Sequence, residues 1–234
     1  MRFICRRAFV VLVLLGCRSA FAAPYPTVEQ LRAAIGVAAG LLKTEGLALE
    51  MQDARASGVT LPLMAAGLDL TSGVCQVFYN PRPEGGLKRF FDGIQEQDLP
   101  VWLGAIAVHE ATHCIEQREV YVRRHFDKVL PPDFKRDGMT VQGYLGVVKS
   151  GAVETWGEAL ADISSLLYLK QAAPDRWLHL ARRISAMRRE LAQRWPQHDT
   201  SAWLDRLIDA NPEIGEGANL FDAAFKYRKQ FRPG

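Results

Sequence analysis

Two histidines four residues apart enclose a glutamate in the run His109-Glu110-Ala111-Thr112-His113. On an α-helix, residues i and i+4 share a face one turn apart. Two imidazoles placed this way reach a common metal ion, since a zinc–nitrogen bond is only about 2.0–2.1 Å long. Glu110 is badly placed to ligate the same ion, but it reaches a water molecule beside it. Two ligands and one general base on a single turn suit hydrolysis by metal-activated water. The competing structural reading makes both histidines core residues. It would bury two imidazoles beside a glutamate with nothing to offset their desolvation, which is costly.

A catalytic zinc site needs a third protein ligand and one position open to water. Three acids compete for that role. Glu119 stands where the longer pattern HExxHxxGxxH has its third ligand, but Glu116 occupies the place of the glycine that turns the chain, so the helix is expected to run on. Glu116 itself lies about 10 Å of helix rise beyond His109, too far to share one ion with both histidines. The third candidate is downstream, in Gly157-Glu158-Ala159-Leu160-Ala161-Asp162. There Glu158 completes a two-histidine, one-glutamate set. Asp162, one turn on, is able to accept the free ring N–H of a ligating histidine and so fix its tautomer. A register with Glu154 as ligand and Glu158 behind it remains open; Glu158 is preferred because it keeps an aspartate in support. A solvated acidic helix face is the bland alternative for all these carboxylates.

His109-Glu110-x-x-His113, followed 45 residues later by Glu158-x-x-x-Asp162, resembles the gluzincin branch of the zinc metallopeptidases, the thermolysin-like group. The resemblance rests on two short motifs and their order, within about residues 74–171. It implies zinc ligands His109, His113 and Glu158, with Glu110 as general base and Asp162 as hydrogen-bond partner of a ligand. It implies a zincin-like fold and cleavage of a peptide or protein substrate. It further implies that a strand preceding the HExxH helix lines the cleft and pairs with an extended peptide, for which Val74–Tyr79 is the candidate. Members of that group use a Tyr or His to stabilise the oxyanion; Tyr144, His125 and Tyr168 are the candidates. This chain is much shorter than thermolysin, so its cleft is expected to differ.

Two rival readings belong to other classes. One is a zinc-stabilised binding module of the cell envelope that kept the motif but does no chemistry. The other is a di-iron bundle, since Glu110-Ala111-Thr112-His113 is also Glu-x-x-His. That chemistry needs two such motifs, and neither His109, His125, His179 nor His198 has a glutamate three residues before it.

The elements that must hold these residues read as an α+β fold, mainly helical, with a small antiparallel or mixed sheet packed on the HExxH helix. Thr27-Val28-Glu29-Gln30 has capping-box spacing and opens a helix to about Lys43. A second helical stretch is expected over 45–56. Val74–Tyr79 is rich in β-formers and ends at Asn80-Pro81, and Leu68–Thr71 is its expected partner. Asp98 is the expected cap of the central helix, with Pro100 in its first turn. A helix from about Gly151 to Gln171 carries Glu158 and Asp162. An amphipathic helix over 174–194 sets Trp177, Leu180, Ile184, Met187 and Leu191 against Arg182, Arg183, Arg188, Arg189 and Arg194, taken together as a solvated face. Short helices over 201–210 and 219–231 close a single domain spanning 23–234.

The first 22 residues read as a secretory signal: a basic start, a short apolar run from Ala8 to Gly16, and Ala20-Phe21-Ala22 as cleavage site. The apolar run is far below the roughly 20 residues of a membrane-spanning helix. Leu14-Leu15-Gly16-Cys17 also resembles a lipobox, which would leave a lipid anchor at Cys17. Export implies a periplasmic or secreted product with no transmembrane helix in the mature chain. Removing residues 1–22 takes away four of the 29 basic residues and none of the 26 acidic ones, leaving a net charge of −1. No global electrostatic case for nucleic-acid binding survives. Cys75 and Cys114 remain, and an oxidising compartment permits their pairing, with two buried thiols as the alternative. Residues 23–56 are long enough to shield a cleft.

Overall fold

A computed structural model describes residues 25–58, 62–82, 88, 90–215 and 217–233. The signal-peptide reading of residues 1–22 and the lipid anchor at Cys17 lie outside the described residues.

The architecture is α+β and mainly helical, with one three-stranded mixed sheet. The first helix, α1 (Val28–Thr44), opens on the expected capping box between Thr27 and Gln30 and buries Leu31, Ile35, Ala38 and Leu42. The helix expected over 45–56 does not form. Gly46 takes a left-handed φ of 71° just past the end of α1, and Leu49–Asp53 is a strand, β1. Leu, Ala, Glu, Met and Gln are good helix formers, which is why the stretch reads as helix locally. Pairing with a strand 26 residues away overrides that propensity.

Strand β2 (Met64–Leu68) and strand β3 (Cys75–Tyr79) form an antiparallel hairpin, and β1 joins β3 in parallel, giving the order β1-β3-β2. The expected partner of β3 at Leu68–Thr71 is displaced toward the N-terminus. Asp69 turns the chain, its carboxylate accepting from the Thr71 N–H at 2.8 Å and the Ser72 hydroxyl at 2.7 Å.

Helix α2 (Leu99–Tyr121) carries the histidine pair. Trp102, Leu103, Ala105, Ala107 and Val108 are all buried, on every side of the helix, so α2 can only be central. It packs on α1, on β2 and on α5 (Glu154–Ala172). The Asp98 side chain does not cap α2 as expected; it is held by Arg176 instead. A disulfide joins Cys75 of β3 to Cys114, next to His113. Beyond α2 come the short helices α3 (Phe126–Val129) and α4 (Val141–Lys149), the latter capped by Thr140. Then follow α6 (Trp177–Ala192), α7 (Ser201–Ala210) and α8 (Leu220–Gln230). Among the described residues, no helix is long and apolar enough to cross a membrane.

Candidate metal centre

The site lies between α2 and α5, which run antiparallel: the Ser165 hydroxyl donates to the Ala105 carbonyl at 2.8 Å, and His109 meets Asp162. His109 Nε2 and His113 Nε2 are 3.3 Å apart. Each is 3.6 Å from an oxygen of Glu158, His109 from Oε2 and His113 from Oε1. Four ligands around a tetrahedral ion with bonds of about 2.0–2.1 Å stand about 3.3–3.4 Å from one another. The two histidines and Glu158 therefore form three corners of such a tetrahedron almost to size. Burial holds the His113 imidazole below its ordinary pKa, and so neutral. Two imidazole nitrogens and a carboxylate thus converge at ligand-like distances, a group that could hold a metal ion.

The surroundings orient this set. His109 Nδ1 lies 2.9 Å from Asp162 Oδ1, which orients the ring with Nε2 toward the centre; burial works to lower the imidazole pKa, but Asp162 and Glu158 outweigh it and raise it. Asp162 is buried and also accepts from Arg188 Nη2 at 2.6 Å and from the Thr200 hydroxyl. Burial works to raise its pKa, but the Arg188 charge and the His109 hydrogen bond outweigh that and keep it ionised. Burial opposes ionisation of Glu158 too. The His198 hydrogen bond, with the charges of His109 and Arg188, overcomes it and holds the carboxyl well below the usual carboxylate range. Glu110 differs: burial pushes its carboxyl up to about 7. The Ala66 backbone N–H of β2 beside it works weakly against that rise.

The other acids weighed as third ligand are engaged elsewhere. Glu119 is fully buried and paired with Arg123 at 2.7 Å and His125 at 2.9 Å. Glu116 is paired with Arg228 at 2.8 Å. Glu154 faces His198 Nε2 at 3.1 Å.

A cavity of about 610 Å³ opens off the site. Its polar end holds the three converging side chains with Glu110, Arg188 and His198. The remainder is mainly apolar, walled by Phe90, Trp102, Ile106, Ile184, Met187 and Leu191, with Ser165 and Arg194 also lining it. From His113 to Trp102 it follows α2 over about 16 Å. Tyr144, His125 and Tyr168, the oxyanion candidates, are not among the lining residues.

Two residues of the site escaped the sequence reading. Arg188 was grouped with a solvated arginine face, yet it is buried and lies 3.1 Å from Glu158 Oε2. The signal was present: Ile184, Met187, Arg188 and Leu191 follow i, i+3, i+4, i+7 and so share the inward face of α6. His198 sits on a single 3₁₀ turn, Pro196–His198, with Nδ1 3.4 Å from Glu158 Oε2. Thr155 of α5 ties that turn down through the Gln197 carbonyl at 2.6 Å. No spacing in the chain announces it.

The candidate strand for lining the cleft also changes. β3 is central, paired on both edges, and has no edge to offer a peptide. The edge strands are β1 and β2, and of these β2 lines the cavity, through Met64 and Ala65. No protein-family model, curated protein or solved structure matches the chain.

Proposed function

We propose that this protein is a zinc-dependent hydrolase of peptide bonds, built on a zincin-like fold and exported from the cell. The observation that carries the reading is the near-tetrahedral triangle of His109 Nε2, His113 Nε2 and Glu158, with Glu110 on the same turn. A zinc ion held there supplies Lewis acidity, polarising a carbonyl and lowering the pKa of a water molecule toward about 7. Glu110 takes the proton of the water that attacks the scissile carbonyl and delivers it to the departing amine nitrogen. Burial of Glu110 raises its carboxyl pKa and so its basicity toward that proton. Asp162 holds His109 in the tautomer that presents Nε2. Met64 and Ala65, the β2 residues that line the cavity, flank the place for an extended substrate, and the cavity's apolar walls select for a bulky apolar side chain near the scissile bond. Export is supported by the disulfide, a bond of oxidising compartments.

The test is metal content and turnover on the chain from residue 23. Wild type should hold about one zinc, and Glu158→Ala should lose most of it. Glu110→Gln should keep the zinc and lose at least about a hundredfold in turnover of peptides bearing Phe or Leu. No zinc in wild type after reconstitution would sink the hydrolase. Zinc with no cleavage of any peptide would leave the non-catalytic zinc module.

A further inference from the structure

Glu158 must meet two histidines that stand on another helix, 45 and 49 residues away. A set of ligands has to be held to within roughly 0.5 Å to work, so something must fix the first turn of α5 against α2. The Arg228 side chain of α8 is completely buried and reaches across both helices. Its Nη1 donates to Glu116 Oε1 at 2.8 Å and to the Trp156 carbonyl at 3.0 Å. Its Nη2 donates to the Lys128 carbonyl at 3.1 Å. Glu116 lies one turn beyond His113 on α2, and Trp156 lies two residues before Glu158 on α5.

The neighbours of this guanidinium lock the same turn. It stacks on the Trp156 ring at 4.3 Å, and the Trp156 indole N–H donates to the Val129 carbonyl at 2.8 Å. Glu116 passes so close to Gly157 that a Cβ there would lie 3.1 Å from Glu116 Oε2. α5 thus comes up against α2 immediately before the third ligand, and a side chain at residue 157 would require the Glu116 carboxylate to give way by a few tenths of an ångström.

A buried ion pair adds little net stability, because desolvating both charges offsets their attraction; what it adds is a fixed geometry. We infer that Arg228, through Glu116 and the Trp156 carbonyl, is the positioning residue that sets Glu158 against His109 and His113, so that the C-terminal helix determines metal affinity. This rests on the proposed zinc site.

Arg228→Met alone would strand Glu116, so the informative variant is Glu116→Gln/Arg228→Met, which leaves no unpaired charge. Zinc affinity would be measured by chelator competition, and coordination by the visible spectrum of the cobalt-substituted protein. In a variant with native circular dichroism and cooperative melting, zinc Kd should weaken about 10–100-fold, and the intense tetrahedral cobalt bands should shift or fade. Arg228→Lys keeps the charge on Glu116 but not the span to both carbonyls, and should recover only part of the affinity. Wild-type Kd and spectrum in the folded double variant would overturn the inference. If that variant does not fold, the same result in Arg228→Lys would overturn it equally. Wild type that binds neither zinc nor cobalt would remove the metal site itself, and this inference with it.

Discussion

Arg188 is the residue whose presence most changes the electrostatics of the site. Its Nη2 touches Asp162 Oδ1 at 2.6 Å and lies 3.1 Å from Glu158 Oε2, so one guanidinium compensates two buried carboxylates. Those acids draw its pKa further upward although burial alone would lower it. A divalent ion at the three-residue site would share this task. The consequence is a difference between loaded and unloaded protein. Arg188→Met should cost the metal-free protein on the order of 3 kcal/mol, about 6–12 °C in Tm for a chain of this size. The zinc-loaded protein should lose clearly less, because the ion still faces Glu158. Differential scanning calorimetry with zinc and with a chelator measures both values. Equal losses in the two states would mean that the ion and the arginine do not see the same carboxylates. Glu110, one residue from His109, belongs to the same scale: burial raises its pKa and outweighs the opposing charges of His109 and Arg188, whereas at Glu158 the His198 hydrogen bond and the neighbouring charges outweigh burial.

At the scale of elements, what could be read from sequence tracks how local each cause is. The capping box of α1, the proline in the first turn of α2, and the β-formers of β3 act within a few residues, and those elements stand where expected. The pair His109 and His113 needs only one helical turn to be legible, and Glu158 with Asp162 needs one more. β1 was illegible because its composition is helical and its reason for being extended lies in β3. Asp98 was misassigned because its partner, Arg176, is 78 residues away. Arg188 was legible by periodicity but hidden by its own charge: on a helix with Arg182, Arg183 and Arg189, composition says surface while spacing says core. Helix α4 has an ordinary threonine cap but was not anticipated, and its nine residues bury only Tyr144. It offers little apolar periodicity to read.

The whole molecule places its site at the meeting of two helices, an edge strand and the C-terminal end of α6, with the disulfide fastening the sheet to α2 one residue past His113. None of this joinery is visible in one short window of the sequence, because each joint pairs residues tens of positions apart. One joint has a further effect. In β2, the N–H groups of Ala66 and Leu68 point away from β3 and both face side chains of α2: Glu110 stands beside the first, and the Gln117 carbonyl oxygen accepts from the second at 2.7 Å. An exposed strand edge with free N–H groups is a template on which another copy of the chain can add. The proposed catalytic base, beside the Ala66 N–H, is expected to act with Gln117 as a guard against self-assembly. Glu110→Gln keeps an oxygen for the Ala66 N–H and should remain monomeric in light scattering on prolonged incubation. Glu110→Ala removes it and should form larger species sooner. Equal colloidal behaviour of the two variants would show that Gln117 alone is enough to keep the edge closed. If they differ, the glutamate at the centre of the chemistry is retained for solubility as well as for turnover, and an inactive relative would be expected to keep an acceptor there.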